Sequence, residues 1–373
     1  MTFLTPANTP SPLAKKEKKE TYTLQQLQGL RPLFGRLFPD RIALDFTVVI
    51  VTYNGSDRIG AVLDRLRHQI GTADIAWEII VVDNNSTDST RAVVQRYQAS
   101  WPQTMPLRYE FEPQQGAGFA RHHGTKAAHS PLVGYLDDDN LPWPNWVSSA
   151  YRFGQQNPQV GVYGSRICGK FVTSPPAHFE RIAALLALTD RGSKPIPYWP
   201  ETKILPPGAG LVVRRQAWLD NVPEQRALAE KFGEREAGED LEVVLHIQRA
   251  GWPVWYNPHM MMHHEIPGSR LTRAYLVRLC RGIGLSRYHT RMLSFSPWKR
   301  PLMVVPYAIN DVRKILRHLL RYRQQVFTDT VTASELMLYF ASLLSPLHSW
   351  YRLGKRKVLK LLDSFSKAIK RSD

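Results

Sequence analysis

Tyr135-Leu136-Asp137-Asp138-Asp139-Asn140 is the stretch that decides how the rest of the chain is read. Pro131-Leu132-Val133-Gly134-Tyr135-Leu136 before it is an apolar run of strand length, and three carboxylates follow without a gap. Like charges this close repel, so the run is costly unless a cation sits among them. Hard cations such as Mg2+ and Mn2+ take carboxylate oxygens and keep positions open for phosphates. Ligands of open α/β sheets bind just past the carboxyl ends of the strands, which is where this run falls. Taken alone, the same residues also describe a solvated acidic turn. The sequence on either side separates the two readings.

Upstream, Phe46-Thr47-Val48-Val49-Ile50-Val51-Thr52 is β-branched and uniformly apolar, the pattern of a strand buried on both faces. Tyr53-Asn54-Gly55-Ser56-Asp57 then supplies turn and helix N-cap residues. Ile59, Val62, Leu63 and Leu66 follow at helical spacing. The unit repeats. Trp77–Asp83 reads as a strand, Asn84-Asn85-Ser86-Thr87-Asp88 as a capping loop, and residues 88–99 as a helix. Leu107–Phe111 is a third strand, Gly116-Ala117-Gly118-Phe119-Ala120-Arg121 opens a helix over 117–128, and Leu132–Leu136 is the fourth strand. Strands alternating with helices predict a mostly parallel sheet.

Downstream the pattern changes. Pro142-Trp143-Pro144-Asn145-Trp146 begins a helix to about residue 156, and Trp143 and Trp146 are candidates to stack on a sugar or simply to pack. Val160–Tyr163 and Ile167–Val172 read as two strands, Phe179–Leu188 as a helix, and residues 203–215 as a Gly/Pro-rich loop running into a strand that ends in Arg214-Arg215. That pair reads as solvated or as a phosphate contact. Residues 224–238 are expected to form a mobile loop. Gly238-Glu239-Asp240 opens a helix to about 250, and Pro253–Tyr256 and Met260–His264 are expected as short strands.

The 373 residues are enough for one large or two ordinary domains. The formal charge of +17 is unevenly spread. Residues 270–373 hold 21 Lys+Arg against 5 Asp+Glu, and residues 1–269 hold 28 against 27. Cys168 and Cys280 lie far apart without metal-type spacing, which suits a reducing compartment. Met1–Ala14 lacks the apolar run of a signal peptide, and no stretch approaches the ~18–20 apolar residues of a spanning helix. Residues 1–22 are expected to be disordered. Residues 23–38, with Leu24, Leu27, Leu30, Leu33 and Phe34, suggest a short amphipathic helix.

Asp83, Arg121 and Asp137–Asp139 all fall past strand ends on one predicted sheet edge, so topology places them around one crevice. Asp83 can accept from a base N–H, Arg121 can stack on a base or pair with phosphate, and the acidic run can hold ribose and metal. That is a nucleotide-diphosphate site without a dinucleotide fingerprint or a P-loop. These motifs, Val48–Asn54, Val81–Asp88, Gly116–Arg121, Tyr135–Asn140 and Gly238-Glu239-Asp240, occur in the order and spacing of glycosyltransferase family 2, which the chain resembles over roughly residues 45–266. The resemblance implies an α/β GT-A fold, with a mixed, mostly parallel sheet flanked by helices. Here it would occupy residues 23–269, followed by a basic helical extension over 270–373. It also implies a nucleotide-sugar donor, commonly a UDP-sugar, with Mg2+ or Mn2+ on the acidic run and inverting displacement at the anomeric carbon.

Carried over by position, the backbone near Thr52 and Tyr53 would line the base pocket, with Asp83 reading the base and Arg121 supporting base or diphosphate. Asp139 would bind metal, with Asp137 either a second metal contact or, like Asp138, a ribose contact. His263 or His264 lies where some GT-A enzymes place a histidine near the metal; neighbours in a strand face opposite ways, so at most one can reach it. Gly208 and Gly210 would let backbone approach the donor sugar or the acceptor. Asp240 at a helix start would be the general base that takes the acceptor hydroxyl's proton, and Glu239 beside it would contact the nucleotide sugar. In isolation, both are also ordinary first-turn acids.

In the basic extension, Lys355-Arg356-Lys357-Val358-Leu359-Lys360-Leu361-Leu362 is a basic amphipathic pattern of the kind that binds anionic membrane surfaces. The expectation is an enzyme peripheral on the cytoplasmic face of the cell membrane, adding single sugars to a saccharide or lipid-linked acceptor in surface polysaccharide assembly. No nucleic-acid motif accompanies the charge. The alternatives are a sugar nucleotidyltransferase and an inactive basic membrane-binding protein. The first is opposed by the loop Tyr53-Asn54-Gly55-Ser56-Asp57-Arg58, which is not the Gly-rich basic loop such enzymes use. The second is opposed by the intact acidic run and Asp240.

Overall fold

The computed structural model describes residues 44–200, 204–224, 228 and 238–369, with side chains omitted at 353 and 355–369. The expected disordered segment 1–22, the amphipathic helix 23–38, most of the loop 224–238 and the side chains of the basic pattern 355–362 lie outside the described residues.

The four anticipated strands form as read: β1 (Phe46–Thr52), β2 (Trp77–Asp83), β3 (Leu107–Phe111) and β4 (Leu132–Asp137). Their pairings are parallel, with β1 between β2 and β4 and β3 outside β2. Every residue of β1 and β2 is buried, as continuous apolar runs require. Alternation divides their side chains between two layers. Val48 and Ile50 join Leu63 and Leu66 of α1 (Ile59–Arg67), Val94 of α2 (Thr90–Ala99) and Trp146 of α4 (Trp146–Gln156). Val49 and Val51 join Ala120 of α3 (Ala117–Ala127), Trp218 of α5 (Arg215–Asn221) and Val244 of α6 (Glu239–Arg249).

Past β4 the sheet becomes mixed. Three-residue β5 (Asn140–Pro142), β6 (Val162–Phe171), two-residue β7 (Ile196–Pro197), β8 (Val212–Arg214) and β9 (Val254–Ile266) extend it in the order β3-β2-β1-β4-β8-β6-β9-β5, with β7 also on β9. β8 runs antiparallel to β4 and β6, while β6 and β9 are parallel. Two expectations are corrected here. The two pairs of short strands are single long strands: the pairing jumps from Ser165↔Asn257 to Arg166↔Met261, so Asn257-Pro258 marks a bulge rather than a strand end. The helix expected over 179–188 is two 3-10 turns, Phe179–Arg181 and Ala183–Leu186, bounded by left-handed backbone at His178 and Ala187. Packing of Phe179, Ile182 and Leu186 against Ile266, Leu276 and Val331 overrides the local helical pattern.

The chain ends in helices, as expected: α7 (Arg273–Leu293), α8 (Arg300–Tyr322), a short α9 (Gln325–Thr328) and α10 (Thr330–Ile369). They are fastened to the sheet domain by an ion pair of Arg181 with Glu335 and by His289 Nε2 at 2.9 Å from Glu242 on α6. Arg273 donates to the carbonyls of Phe327 and Thr328. A bidentate pair of Arg291 with buried Asp311, at 2.6 and 2.9 Å, clamps α8 to α7.

Candidate active site

Strand register builds the site. Thr52 pairs with Asp83 and Val51 with Asp137, so the carboxyl ends of β2, β1 and β4 finish side by side. Beyond these ends lies a cleft of about 550 Å³, within the range of small-molecule sites. Its walls include Thr52, Tyr53, Arg121, Asp137, Asp138, Asp139, Glu239, Asp240 and His264, all anticipated from the sequence.

The three consecutive carboxylates point to three different arginines. Asp137 Oδ1 accepts from Arg121 Nη2 at 2.8 Å. Asp138 accepts from Arg58 Nε at 3.1 Å and Nη2 at 3.3 Å, and its Oδ2 also takes the Thr52 hydroxyl at 2.7 Å. Asp139 Oδ2 accepts from Arg270 Nη1 at 2.8 Å. Asn140 braces the turn, accepting from the Asp137 N–H and donating to Asp139 Oδ1, each at 2.9 Å. The cations that the acidic run requires are thus supplied one by one from distant sequence. Burial pushes the Asp138 carboxyl above its ordinary value, against the pull of Arg58 and Thr52. For Asp139 burial acts in the same sense but is outweighed by His264 and Arg270, and its value falls.

The residues at Asp139 fit a divalent cation. His264 Nδ1 lies 3.0 Å from the Leu186 carbonyl, which orients the ring so that Nε2 faces Asp139 Oδ2, 3.5 Å away. Arg270 Nη1 reaches both, at 2.8 Å from Asp139 Oδ2 and 3.2 Å from His264 Nε2, so a cationic group already sits in the notch as a stand-in. One carboxylate and one imidazole leave most of an octahedral shell for phosphate oxygens and water. Among the described residues no group of three or more His, Cys, Asp or Glu converges. Asp137, expected as a further metal or ribose contact, accepts from Arg121 through Oδ1.

On the facing wall, α6 begins with Glu239 and Asp240. Glu239 Oε1 accepts from Arg121 Nη1 at 2.9 Å, so Arg121 ties α6 to β4. Arg121 is buried, which opposes its charge, but Asp137, Glu239 and Asp240 outweigh this and raise its value. Its buried Nε has no acceptor among the described residues. Asp240 Oδ2 accepts the Gly208 N–H at 2.6 Å. A Cβ on Gly208 would lie 2.8 Å from Asp240 Cβ, so glycine is required for this backbone to approach the acid. Gly208 therefore supports Asp240 from behind rather than lining the cleft.

Other expected residues are placed elsewhere. Asp83 is buried, with Oδ2 accepting from Tyr109 at 2.7 Å and Oδ1 from the Ser86 N–H at 2.9 Å; Asn84 and Tyr53 form the wall there. Of the two histidines expected as alternatives, His263 faces away from His264, toward Trp143, as strand alternation requires. Gly210 has φ +64° and packs on Ser165 and Met262 rather than in the cleft. Trp146 is fully buried and donates to Ser165, so it is a core residue. Arg214 and Arg215, both half-buried, donate to the carbonyls at the C-terminal ends of α4 (Gly154, Asn157) and α3 (Thr125, Lys126). Sequence reasoning missed Arg58, Arg270, Tyr275 and Arg278, which also line the cleft. The expected boundary at 269/270 therefore runs through the site. Arg58 carried a signal, closing the loop after β1; Arg270 was hidden among the many arginines of the extension.

This sheet order, with an acidic turn after β4 and a carboxylate-bearing helix opposite, defines the GT-A fold. Residues 47–217 match the model of glycosyl transferase family 2. Mannosyltransferase PcManGT from Pyrobaculum calidifontis, solved in complex with GDP-Man and Mn2+, is 17% identical with a TM-score of 0.52, over 88% of this chain and 97% of that one, a likeness of fold. Validoxylamine A glucosyltransferase of Streptomyces hygroscopicus subsp. limoneus is 35% identical over 105 residues, 28% of this chain and 22% of that protein. Succinoglycan biosynthesis protein ExoU of Rhizobium meliloti is 31% identical over 118 residues, 31% of each. The chain thus matches less than a third of the length of either relative.

Proposed function

We propose that the chain is an inverting glycosyltransferase that moves a sugar from a nucleotide-diphosphate sugar, a UDP-sugar in the first instance, to a hydroxyl of a saccharide or lipid-linked saccharide. The observation that carries the reading is the gathering of Asp137–Asp139 and Asp240 from opposite walls into one cleft. Tyr53, Thr52 and Asn84 form the wall suited to the base, and Asp138, fixed by Thr52 and Arg58, is placed to accept from ribose hydroxyls. Arg58, Arg270 and Arg278 supply positive charge along the path of the diphosphate. A divalent metal at Asp139 and His264 would neutralise charge on the leaving diphosphate.

Asp240 takes the acceptor's proton as its oxygen attacks. The Gly208 N–H occupies one direction on Asp240 Oδ2 and fixes the carboxylate, and the second lone pair remains for the hydroxyl. Inversion follows because the attacking oxygen enters opposite the leaving phosphate.

The acceptor belongs to surface polysaccharide assembly at the cytoplasmic membrane face in this reading. Supporting it are the family, the name of the Rhizobium relative and the basic C-terminal region. Among the described residues no helix is long and apolar enough to cross a membrane. The test is incubation with a panel of nucleotide sugars, Mn2+ and membrane extract, following release of the nucleotide diphosphate and the anomeric configuration of the product. Asp240→Asn is expected to cut turnover about 10²–10⁴-fold while leaving nucleotide binding intact. Wild-type turnover in that variant contradicts the assignment of the base.

A further inference from the structure

α8 turns an apolar row outward. Leu302, Val305, Ile309, Val312, Leu316 and Leu320 recur at helical spacing, and all are exposed, from 42% at Val312 to 76% at Leu320. The opposite face is fixed to the protein: Asp311, Ile315 and His318 are buried, Asp311 in its bidentate pair with Arg291 and His318 on the Thr332 carbonyl. The outward orientation is therefore locked. Trp298 just before the helix and Phe327 just after it are also exposed, at 68% and 76%. An uninterrupted apolar row along a 23-residue helix, about 35 Å long, is more than scattered surface hydrophobicity.

Charge says what covers it. Arg313, Arg317 and Arg321 recur every fourth residue along one flank of the row, and all three are exposed. The only acid of α8, Asp311, is buried and paired. We infer that α8 lies in the plane of an anionic lipid bilayer, with its apolar row among the acyl chains and the arginine row at the headgroups. A second copy would bring the same arginines to the contact and no acid of α8 to answer them. The inference deepens the membrane part of the proposed function by naming the surface, and no catalytic step depends on it.

The test is co-sedimentation of the full chain with vesicles of phosphatidylcholine alone or mixed with phosphatidylglycerol. Binding is expected to the mixed vesicles, at least about tenfold stronger than to the neutral ones. The double variant Val305→Glu/Ile309→Glu should lose that binding, and Arg313→Glu/Arg317→Glu/Arg321→Glu should lose the preference for anionic lipid. All these positions are exposed, so unfolding temperature and nucleotide-diphosphate binding should match the wild type. A fluorophore on Val305→Cys, in a Cys168→Ser background, should shift to the blue on vesicles. Wild-type chain left in the supernatant, or variants that sediment as it does, overturn the inference. So does a dimer in light scattering that Ile309→Glu dissolves, which would assign the face to a second copy. Vesicle binding without sugar transfer would leave this surface standing and remove the transferase reading alone.

Discussion

Asp138 and Thr52 share a hydrogen bond in the space where a Cβ on Gly55 would lie, 2.3 Å from both oxygens. Gly55→Ala must therefore move one of them. Overpacking of this kind costs about 1–3 kcal/mol, and the nucleotide affinity measured by calorimetry is expected to fall at least about tenfold. An unchanged affinity would remove Asp138 from the ribose position. Arg270 permits a second test. If it stands in for the metal, Arg270→Ala removes a competing like charge and should tighten Mn2+ binding about tenfold in the absence of nucleotide, read by electron paramagnetic resonance. His264→Ala should weaken it. Weaker Mn2+ binding in Arg270→Ala would mean that the arginine organises the notch instead. The three acids were legible in the sequence because they are adjacent. Their partners were not: Arg58 lies 80 residues before Asp138 and Arg270 131 residues after Asp139. No local pattern announces such pairs.

The loops after β1 and β2 are pinned to each other. The Asn54 N–H reaches Ser86 Oγ at 2.9 Å, the Gly55 N–H reaches Thr90 Oγ1 at 3.0 Å, and the Ser56 N–H reaches Asp88 Oδ2 at 3.1 Å. Slight burial opposes the Asp88 charge, but hydrogen bonds from Thr90 and Ser56 outweigh it and hold the acid at about 2. The folded value lies below the ordinary 3.8, so this stabilisation is complete above about 3.8 and is lost as pH falls through about 2. Asp88→Ala should lower the unfolding temperature at neutral pH, and the gap to wild type should close between about pH 4 and pH 2. A gap that widens on acidification would contradict this. At this scale the periodic β/α units were readable because burial imposes periods of 2 and 3.6. The long strands β6 and β9 were not, since the break at Asn257-Pro258 looks the same in sequence whether it ends a strand or bulges it. Arg214 and Arg215 show the same limit: their acceptors are helix-end carbonyls contributed by α4 and α3, brought near by the sheet.

Across the whole molecule, charge and apolar surface divide the labour. Residues 1–269 are nearly neutral, and the excess of Lys and Arg lies in 270–373, where it serves two places. Arg270, Tyr275 and Arg278 complete the cleft, while the outer face of α8 carries the apolar row and its arginines. The sequence showed the basic region but not that its first residues reach back over the acidic run, because that depends on packing of α7 against α6 and the 3-10 turns. The claim on which the account depends is that the cleft holds a nucleotide diphosphate with a divalent metal. Thermal unfolding of the full chain with UDP, GDP, CDP or dTDP, each with and without Mn2+, tests it most directly. A nucleotide at 100 times its Kd adds about 2.7 kcal/mol to the folded state. One nucleotide is predicted to stabilise the wild type in the presence of Mn2+, and Asp139→Ala to abolish the effect; a folded chain that no nucleotide stabilises, with or without the metal, would contradict it.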